Sequence, residues 1–193
     1  MKKLTISLFL SLFLFSSNIF ADDVLDAHKL IQKVNDAIVN VDDKKKLTAL
    51  IEESIDFEWI SRFVLGREYR KFTNEQKKEF TDLYRKFLIK TYGPKFNNYQ
   101  AESYEILLVQ EKKRYSIVKS KFKINDGSEV NFAFRVKKGK DSSQFKIIDI
   151  IVETVSLIET QRSEFSSVIK EVGIDNFLMA MKKKTNNKEN AKE

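Results

Sequence analysis

One carboxylate stands out for its setting. Asp149 lies within FKIIDIIV, residues 145–152, a run that is otherwise almost wholly apolar. A carboxyl among isoleucines is pushed toward its protonated form, and small α+β isomerases use such a group as a general base. The same carboxyl can instead anchor the fold, paired with an arginine or accepting backbone N–H groups. Arg62, Arg67, Arg70 and Arg162 are candidate partners for that role. What surrounds Asp149 in the sequence favours the anchor. The chain has no cysteine and a single histidine, His28, which reads as a surface or boundary residue of the first helix. Cysteine and histidine supply most transition-metal sites, so no metal site is assigned. No nucleophile motif or phosphate-binding glycine loop is present, and no second acid–base group accompanies Asp149. No catalytic residue is assigned either.

Two other features could bind rather than react. Residues 67–70, REYR, form either a basic and aromatic patch for a head group or partner, or a solvated helix end with local ion pairs. Four of the 16 phenylalanines lie in residues 1–21; the other 12, with six tyrosines and Trp59, are more than a plain core demands. Most must be core, but the surplus also suits a fold built round a central apolar cavity.

Two kinds of hydrophobic spacing position these side chains. Over 23–41 apolar residues recur at Val24, Ala27, Leu30, Ile31, Val34, Ala37, Ile38 and Val41, which predicts a helix with one buried stripe. A shorter helix follows through Leu47, Leu50 and Ile51. A third starts near Asp56, an N-cap residue type, and ends at Gly66. It carries Phe57, Trp59, Ile60, Phe63, Val64 and Leu65, so it is buried on most sides or lines something apolar. Thr73 and Gln76 form a capping-box pair opening a fourth helix, with Phe80, Leu83, Tyr84, Phe87 and Leu88 as its stripe. Gly93-Pro94 is expected to end that helix, with a short helical turn near 96–99 after it.

Beyond residue 104 the period becomes two. Strands are predicted at 104–109, 115–124, 129–136 and 145–152, and Asp126-Gly127 marks a hairpin. Val118, Ser120, Phe122 and Ile124 share one face, opposite Lys119, Lys121 and Lys123; Val130, Phe132, Phe134 and Val136 likewise oppose Glu129, Asn131 and Arg135. The fourth strand is apolar on both faces and should be the most enclosed. Helices are predicted at 159–172 and 174–181, split by Gly173. The expected fold is α+β, with helices packed on one curved, mainly antiparallel four-stranded sheet enclosing an apolar cavity.

The ends set the compartment. Met1-Lys2-Lys3, an apolar run over 4–15 and the small Ala21 before Asp22-Asp23 have the layout of a secretory signal peptide, residues 1–21, cut after Ala21. The run is shorter than the ~20 residues of a spanning helix. Residues 22–181 then form a single domain, and 182–193, rich in Lys, Asn and Glu, a disordered basic tail. Loss of residues 1–21 removes two lysines and no acids, taking the formal net charge from +7 to +5; this balance either suits anionic membrane surfaces or acidic proteins or merely keeps the chain in solution, and an exported chain rarely meets nucleic acid, so none is expected as a partner.

Phe57-Glu58-Trp59 with Val64-Leu65-Gly66-Arg67, followed by Thr73-Asn74-Glu75-Gln76 and Phe80, resembles the first signature of the MlaC (toluene-tolerance) family of periplasmic phospholipid-binding proteins. The second signature is matched by Ile148-Asp149-Ile150, Val152-Glu153, Ser156-Leu157, Arg162-Ser163, Phe165 and Gly173-Ile174-Asp175. Order and spacing agree from about residue 22 to 181. One departure is visible: Thr154 stands where the family pattern tends to have glycine, which questions the local backbone.

The resemblance implies a periplasmic phospholipid carrier that needs no catalytic group and takes direction and energy from its partners. It would be an auxiliary component of an ABC-type lipid transport system that maintains outer-membrane lipid asymmetry. It would hold acyl chains in a pocket between sheet and helices and exchange lipid with an outer-membrane lipoprotein complex and an inner-membrane ABC transporter bearing an MCE-domain subunit. A monomer without cofactor, its bound ligand the phospholipid, is expected. Geometry nominates Ile60, Val64, Leu83 and Phe87 from helices and Val118, Phe122, Phe132, Phe134, Ile150 and Val152 from strands as pocket lining, with Leu157, Phe165 and Ile169 closing the end. A carrier of a hopanoid-like or other polycyclic lipid, an isomerase or hydrolase using Asp149, and a solid-cored adaptor are the competing readings.

Overall fold

The alternation of apolar and lysine positions folds into one antiparallel meander. The computed structural model describes residues 18–40, 44–98, 101–140 and 144–186. In it β1 (Ala101–Glu111), β2 (Ser116–Ile124), β3 (Glu129–Lys138), β4 (Phe145–Val152) and β5 (Val155–Ser156) are neighbours in both sequence and space. The sheet thus has five strands, not the four expected. β5 is two residues long, too short to show a period, and a tight turn at Glu153-Thr154 returns it along β4. Glu153 has φ 56°, as the first central residue of a type II′ turn requires. The unusual backbone therefore falls at Glu153 and not at Thr154. Asn131 holds it in place: its N–H donates to Glu153 Oε1 at 2.8 Å, and the Glu153 N–H donates to its carbonyl at 2.8 Å.

Register puts the large side chains together. Val118, Ser120 and Phe122 lie opposite Phe134, Phe132 and Val130, so both strands present their apolar residues to one face. α1 (Asn18–Val39) buries Ala27, Ile31, Val34 and Ile38 in the same core as this face. α1 starts ahead of the expected cleavage point; residues 1–17 lie outside the described residues. Ser120 tolerates its apolar setting because Asn35 Nδ2 donates to its Oγ at 2.8 Å; an unmet buried hydroxyl would cost ~1–3 kcal/mol.

A bulge in β4 gives the sheet a second use. Arg135 pairs with Asp149 and Val136 with Ile147, so the ladder skips Ile148. Ile147 and Ile150 join the core under α1, whereas Ile148 joins a separate core built by α3 (Phe57–Leu65), α4 (Asn74–Asn98), α5 (Leu157–Val172) and α6 (Ile174–Asn186). Aromatic rings fill that second core: Phe80 stacks on Tyr84 at 5.4 Å and meets Phe165 edge-on at 6.0 Å. β4 is the most enclosed of the long strands, as expected.

Helix ends follow local chemistry. Asp56 Oδ1 accepts the Trp59 N–H at 2.9 Å, and Thr73 and Gln76 exchange bonds of 2.9 and 3.2 Å in the capping box. Ser156 caps α5 two residues earlier than the apolar pattern suggested. Gly93-Pro94 does not end α4, which runs on to Asn98. Proline lacks only one N–H, and glycine before it has no Cβ to clash with the proline ring, so the helix continues. α6 runs through Lys182–Lys184 to Asn186, into the stretch read as a tail, because cations at a helix C-terminus are favourable. Residues 187–193 lie outside the described residues.

Candidate functional site

The two cores meet along a seam. Ile55, between α2 (Lys44–Ser54) and α3, packs against both. It bridges to Ile147, and the Asp56 N–H donates to the Ile147 carbonyl at 3.0 Å, so the link is pinned to β4. Beside this pin lies an apolar crevice. α2 contributes Leu47, Thr48 and Ile51, the link Ile55, α3 Phe57, α4 Leu88, Ile89, Tyr92 and Gly93, β4 Ile150, and α5 Leu157. Its volume is about 40 Å³, an order of magnitude below the ~300–1,000 Å³ of ordinary ligand pockets. It is a narrow seam.

The thirteen residues nominated from sequence are divided by this seam. Ile60, Val64, Leu83, Phe87, Phe165 and Ile169 are buried in the helical core, with Leu157 packed partly buried against it. Val118, Phe122, Phe132, Phe134 and Ile150 are buried in the sheet core, with Val152 partly buried beside it. Ile150 and Leu157 alone of the thirteen line the crevice. α2, whose short stripe carries no site assignment in the sequence, and the α4 residues Ile89, Tyr92 and Gly93 supply most of the remaining wall.

Asp149 points away from the crevice into a groove on the other side of the same elements. The groove, of about 640 Å³, is lined by Trp59, Phe63, Lys112, Lys113, Arg114, Tyr115, Arg135, Lys137, Ile148, Asp149, Ile158 and Glu159. Arg135 Nη1 donates to Asp149 Oδ2 at 2.9 Å and to Glu159 Oε1 at 2.7 Å. The arginine partner is therefore Arg135, the cross-strand neighbour, and none of the four arginines expected. Ser156 Oγ and the Ile158 N–H complete the carboxylate's contacts at 2.7 and 3.3 Å. Burial pushes the Asp149 carboxyl above its ordinary range, against the pull of Ser156, Ile158 and Arg135. The pair is asymmetric: burial also opposes the Arg135 charge, but the Glu159 bond and the two carboxylates outweigh it and hold that guanidinium above its ordinary range. This is a structural anchor joining β3, β4 and α5.

The groove continues past Trp59 and Phe63, stacked at 5.1 Å, into a second depression. Arg62, Gly66, Arg67, Tyr69, Arg70 and Arg162 line it. Arg162 lies over the Phe63 ring at 4.7 Å. A side chain at Gly66 would put its Cβ 3.1 Å from the Arg162 guanidinium, and its φ of 53° also favours glycine. The REYR segment thus forms one wall of a basic and aromatic groove, while Glu68 turns inward and pairs with Lys71 at 2.7 Å. Among the described residues no group of acids, histidines or cysteines is arranged to hold a metal ion, and no helix is long and apolar enough to cross a membrane.

Helices layered on one antiparallel meander, with an apolar seam between two cores, define a small α+β protein. The chain belongs to the MlaC protein family, whose sequence model matches residues 23–183. It is similar to the intermembrane phospholipid transport system binding protein MlaC of Haemophilus influenzae, with 22% identity over 130 residues. That match covers 66% of this chain and 61% of the relative's length. Its fold is similar to that of the phospholipid-binding protein from Ralstonia solanacearum, solved in complex with a phospholipid, with a TM-score of 0.70 and 20% identity. The match covers 84% of this chain and 96% of that structure.

Proposed function

We propose that this protein is an exported phospholipid carrier whose acyl chains enter the seam between the sheet core and the helical core. The observation that carries the reading is the apolar crevice at the junction of two separately packed cores. The larger groove is an unsuitable chain site because Lys112–Arg114, Arg135 and Asp149 border it, and charges beside hydrocarbon are costly. Separating the cores at the seam widens the crevice without breaking either ring cluster. The driving force is large: at ~0.8 kcal/mol per methylene, a chain of about 16 carbons gains on the order of 12 kcal/mol by leaving water. No catalytic group is needed.

Residues 1–21 act as the export signal, and the carrier works in the periplasm. There it exchanges lipid with an inner-membrane ABC transporter bearing an MCE-domain subunit and with an outer-membrane lipoprotein complex, maintaining outer-membrane lipid asymmetry. The basic and aromatic groove, on the other side of α3, β4 and α5 from the crevice, suits acidic surfaces of such partners. Solvent extraction of the protein purified from an exporting host, followed by mass spectrometry, tests the reading. About one diacyl phospholipid per chain is expected. A polycyclic lipid, or nothing bound, overturns it.

A further inference from the structure

α4 and α6 run side by side in the same direction. Gln76 Nε2, at the start of α4, donates to Asp175 Oδ1, at the start of α6, at 2.8 Å. Lys90 Nζ, in the second half of α4, donates to the Lys184 carbonyl near the end of α6 at 3.2 Å. Charge is polarised along the pair. Residues 74–82 and 174–175 hold Glu75, Glu79, Asp82 and Asp175 against Lys77 and Lys78. Residues 83–94 and 176–186 hold Arg85, Lys86, Lys90 and Lys182–Lys184 and no acid. Arg85 turns aside, over the Phe57 ring at 4.9 Å. Because the helices are parallel, the five lysines gather toward one end of the helical layer.

The helix dipole accounts for only part of this. Cations stabilise the last turn of a helix, which covers Lys183 and Lys184. The effect fades beyond that turn and gives no reason for Lys86 and Lys90, which lie well before the last turn of α4. Lys90 and Lys184 tie the two ends together, the Lys184 ammonium lying 5.0 Å from the centre of the Phe87 ring. Lys86, Lys182 and Lys183 are exposed, and none pairs with a carboxylate among the described residues. Met179 lies one turn before Lys182 and Lys183 on the same side of α6 and is 53% exposed. An exposed apolar side chain flanked by lysines suits a helix face that rests on a lipid surface.

This cationic end borders the crevice. On α4 the crevice residue Ile89 lies between Lys86 and Lys90 in sequence and is partly exposed, and the crevice residue Gly93 follows Lys90 by one turn. The chemistry of the cations also differs from that of the depression beside Trp59, which Arg62, Arg67, Arg70 and Arg162 line. Planar guanidinium forks suit fixed carboxylates on a protein, whereas lysines are point charges on flexible stems and suit a diffuse field of lipid phosphates. We propose that the paired ends of α4 and α6 dock the protein on an anionic bilayer surface, with Met179 entering the interface and the Ile89 side of the crevice turned toward the membrane. Docking goes beyond the carrier reading: it needs no lipid in the crevice, and vesicle binding tests it alone.

The protein purified from an exporting host is sedimented with vesicles of phosphatidylcholine, or of phosphatidylcholine and phosphatidylglycerol in equal parts, with no partner complex present. Binding to the anionic vesicles alone, lost in high salt, is expected. One lysine near such a surface contributes about five-fold in affinity, so Lys86→Glu with Lys183→Glu is expected to weaken binding at least ~10-fold. Lys29→Glu with Lys33→Glu, on α1, changes the net charge equally and is expected to bind as the wild type does. The chain has no cysteine, so Met179→Cys carries a single environment-sensitive label. Its emission should shift to the blue on anionic vesicles, and the same label on Lys33→Cys should not shift. Equal binding to both kinds of vesicle, equal loss in the two double variants, or an unshifted label at position 179 overturns the proposal. Absent vesicle binding, with transfer to partner-bearing membranes still slowed by Lys86→Glu and Lys183→Glu, would assign the surface to an acidic protein and overturn it as well.

Discussion

Arg135 and Asp149 face each other across the β3–β4 ladder, with Nη1 2.9 Å from Oδ2, directly beside the residue the ladder skips. The folded chain keeps the Asp149 proton to higher pH than the unfolded chain, because burial outweighs its partners. Its contribution to stability is then fully present below the unfolded value near 3.8 and is lost as pH rises through the raised folded value. The stability advantage of wild type over Asp149→Asn should shrink as pH rises above the unfolded value near 3.8, read by urea unfolding at each pH. An advantage that grows with pH would mean that Arg135 outweighs burial.

Lipid loss and unfolding should separate cleanly by position. Ile89 lines the crevice and is partly exposed, whereas Val118 is fully buried under α1. Ile89→Asp is expected to abolish co-purifying lipid at a cost of about 1 kcal/mol or less in unfolding free energy, since the new charge reaches water. Val118→Asp, an unpaired buried charge, should cost at least ~4 kcal/mol and lose the fold before it loses lipid.

Pro94 should be a stability cost accepted within α4. Pro94→Ala restores an N–H to the helix and is expected to raise stability by about 1–3 kcal/mol. In that background Gly93→Ala should add ~0.5–1 kcal/mol, while with proline in place the same change should destabilise, because the new Cβ meets the ring. The sign change in a double-mutant cycle is the measurement.

The basic groove should matter for delivery and not for holding lipid. Arg67→Glu with Arg70→Glu is expected to slow transfer of labelled lipid to membranes bearing the partner complexes roughly ten-fold or more at low salt. Lipid recovered per purified chain should stay at the wild-type level. Trp59, the single tryptophan, lies where the two depressions meet and reports partner binding by its fluorescence. Unchanged transfer by the double variant would remove the groove from the transport step.

Local signals were the legible part of this fold. Asp56, Thr73 with Gln76, Asp126-Gly127 and the alternation in β2 and β3 each act within a few residues, and the structure uses them as read. Long-range choices were not legible. Nothing local marks Ile148 as the residue the ladder skips, because a bulge depends on what Val136 meets across the sheet. For the same reason the partner of Asp149 is Arg135 in the neighbouring strand and not Arg62, Arg67, Arg70 or Arg162. The aromatic surplus suggested a cavity; in the structure most of it fills two ring-packed cores, and the space lies between them. Gln161 carried no sequence signal, since its burial depends on hydrogen bonds with Tyr84 and Tyr92, 77 and 69 positions away.

The skipped residue also bears on how such a fold could be assembled. Removing Ile148 would leave the pairs Val136–Ile147, Arg135–Asp149 and Phe134–Ile150 free to form an unbroken ladder. The meander and the α1 and α2 side chains packed on it would not register the loss. Only the helical layer would, for Ile148 is the β4 side chain buried in its core. A one-residue insertion is thus enough to give a helix-covered meander a foothold for a second layer, and with it a boundary between layers.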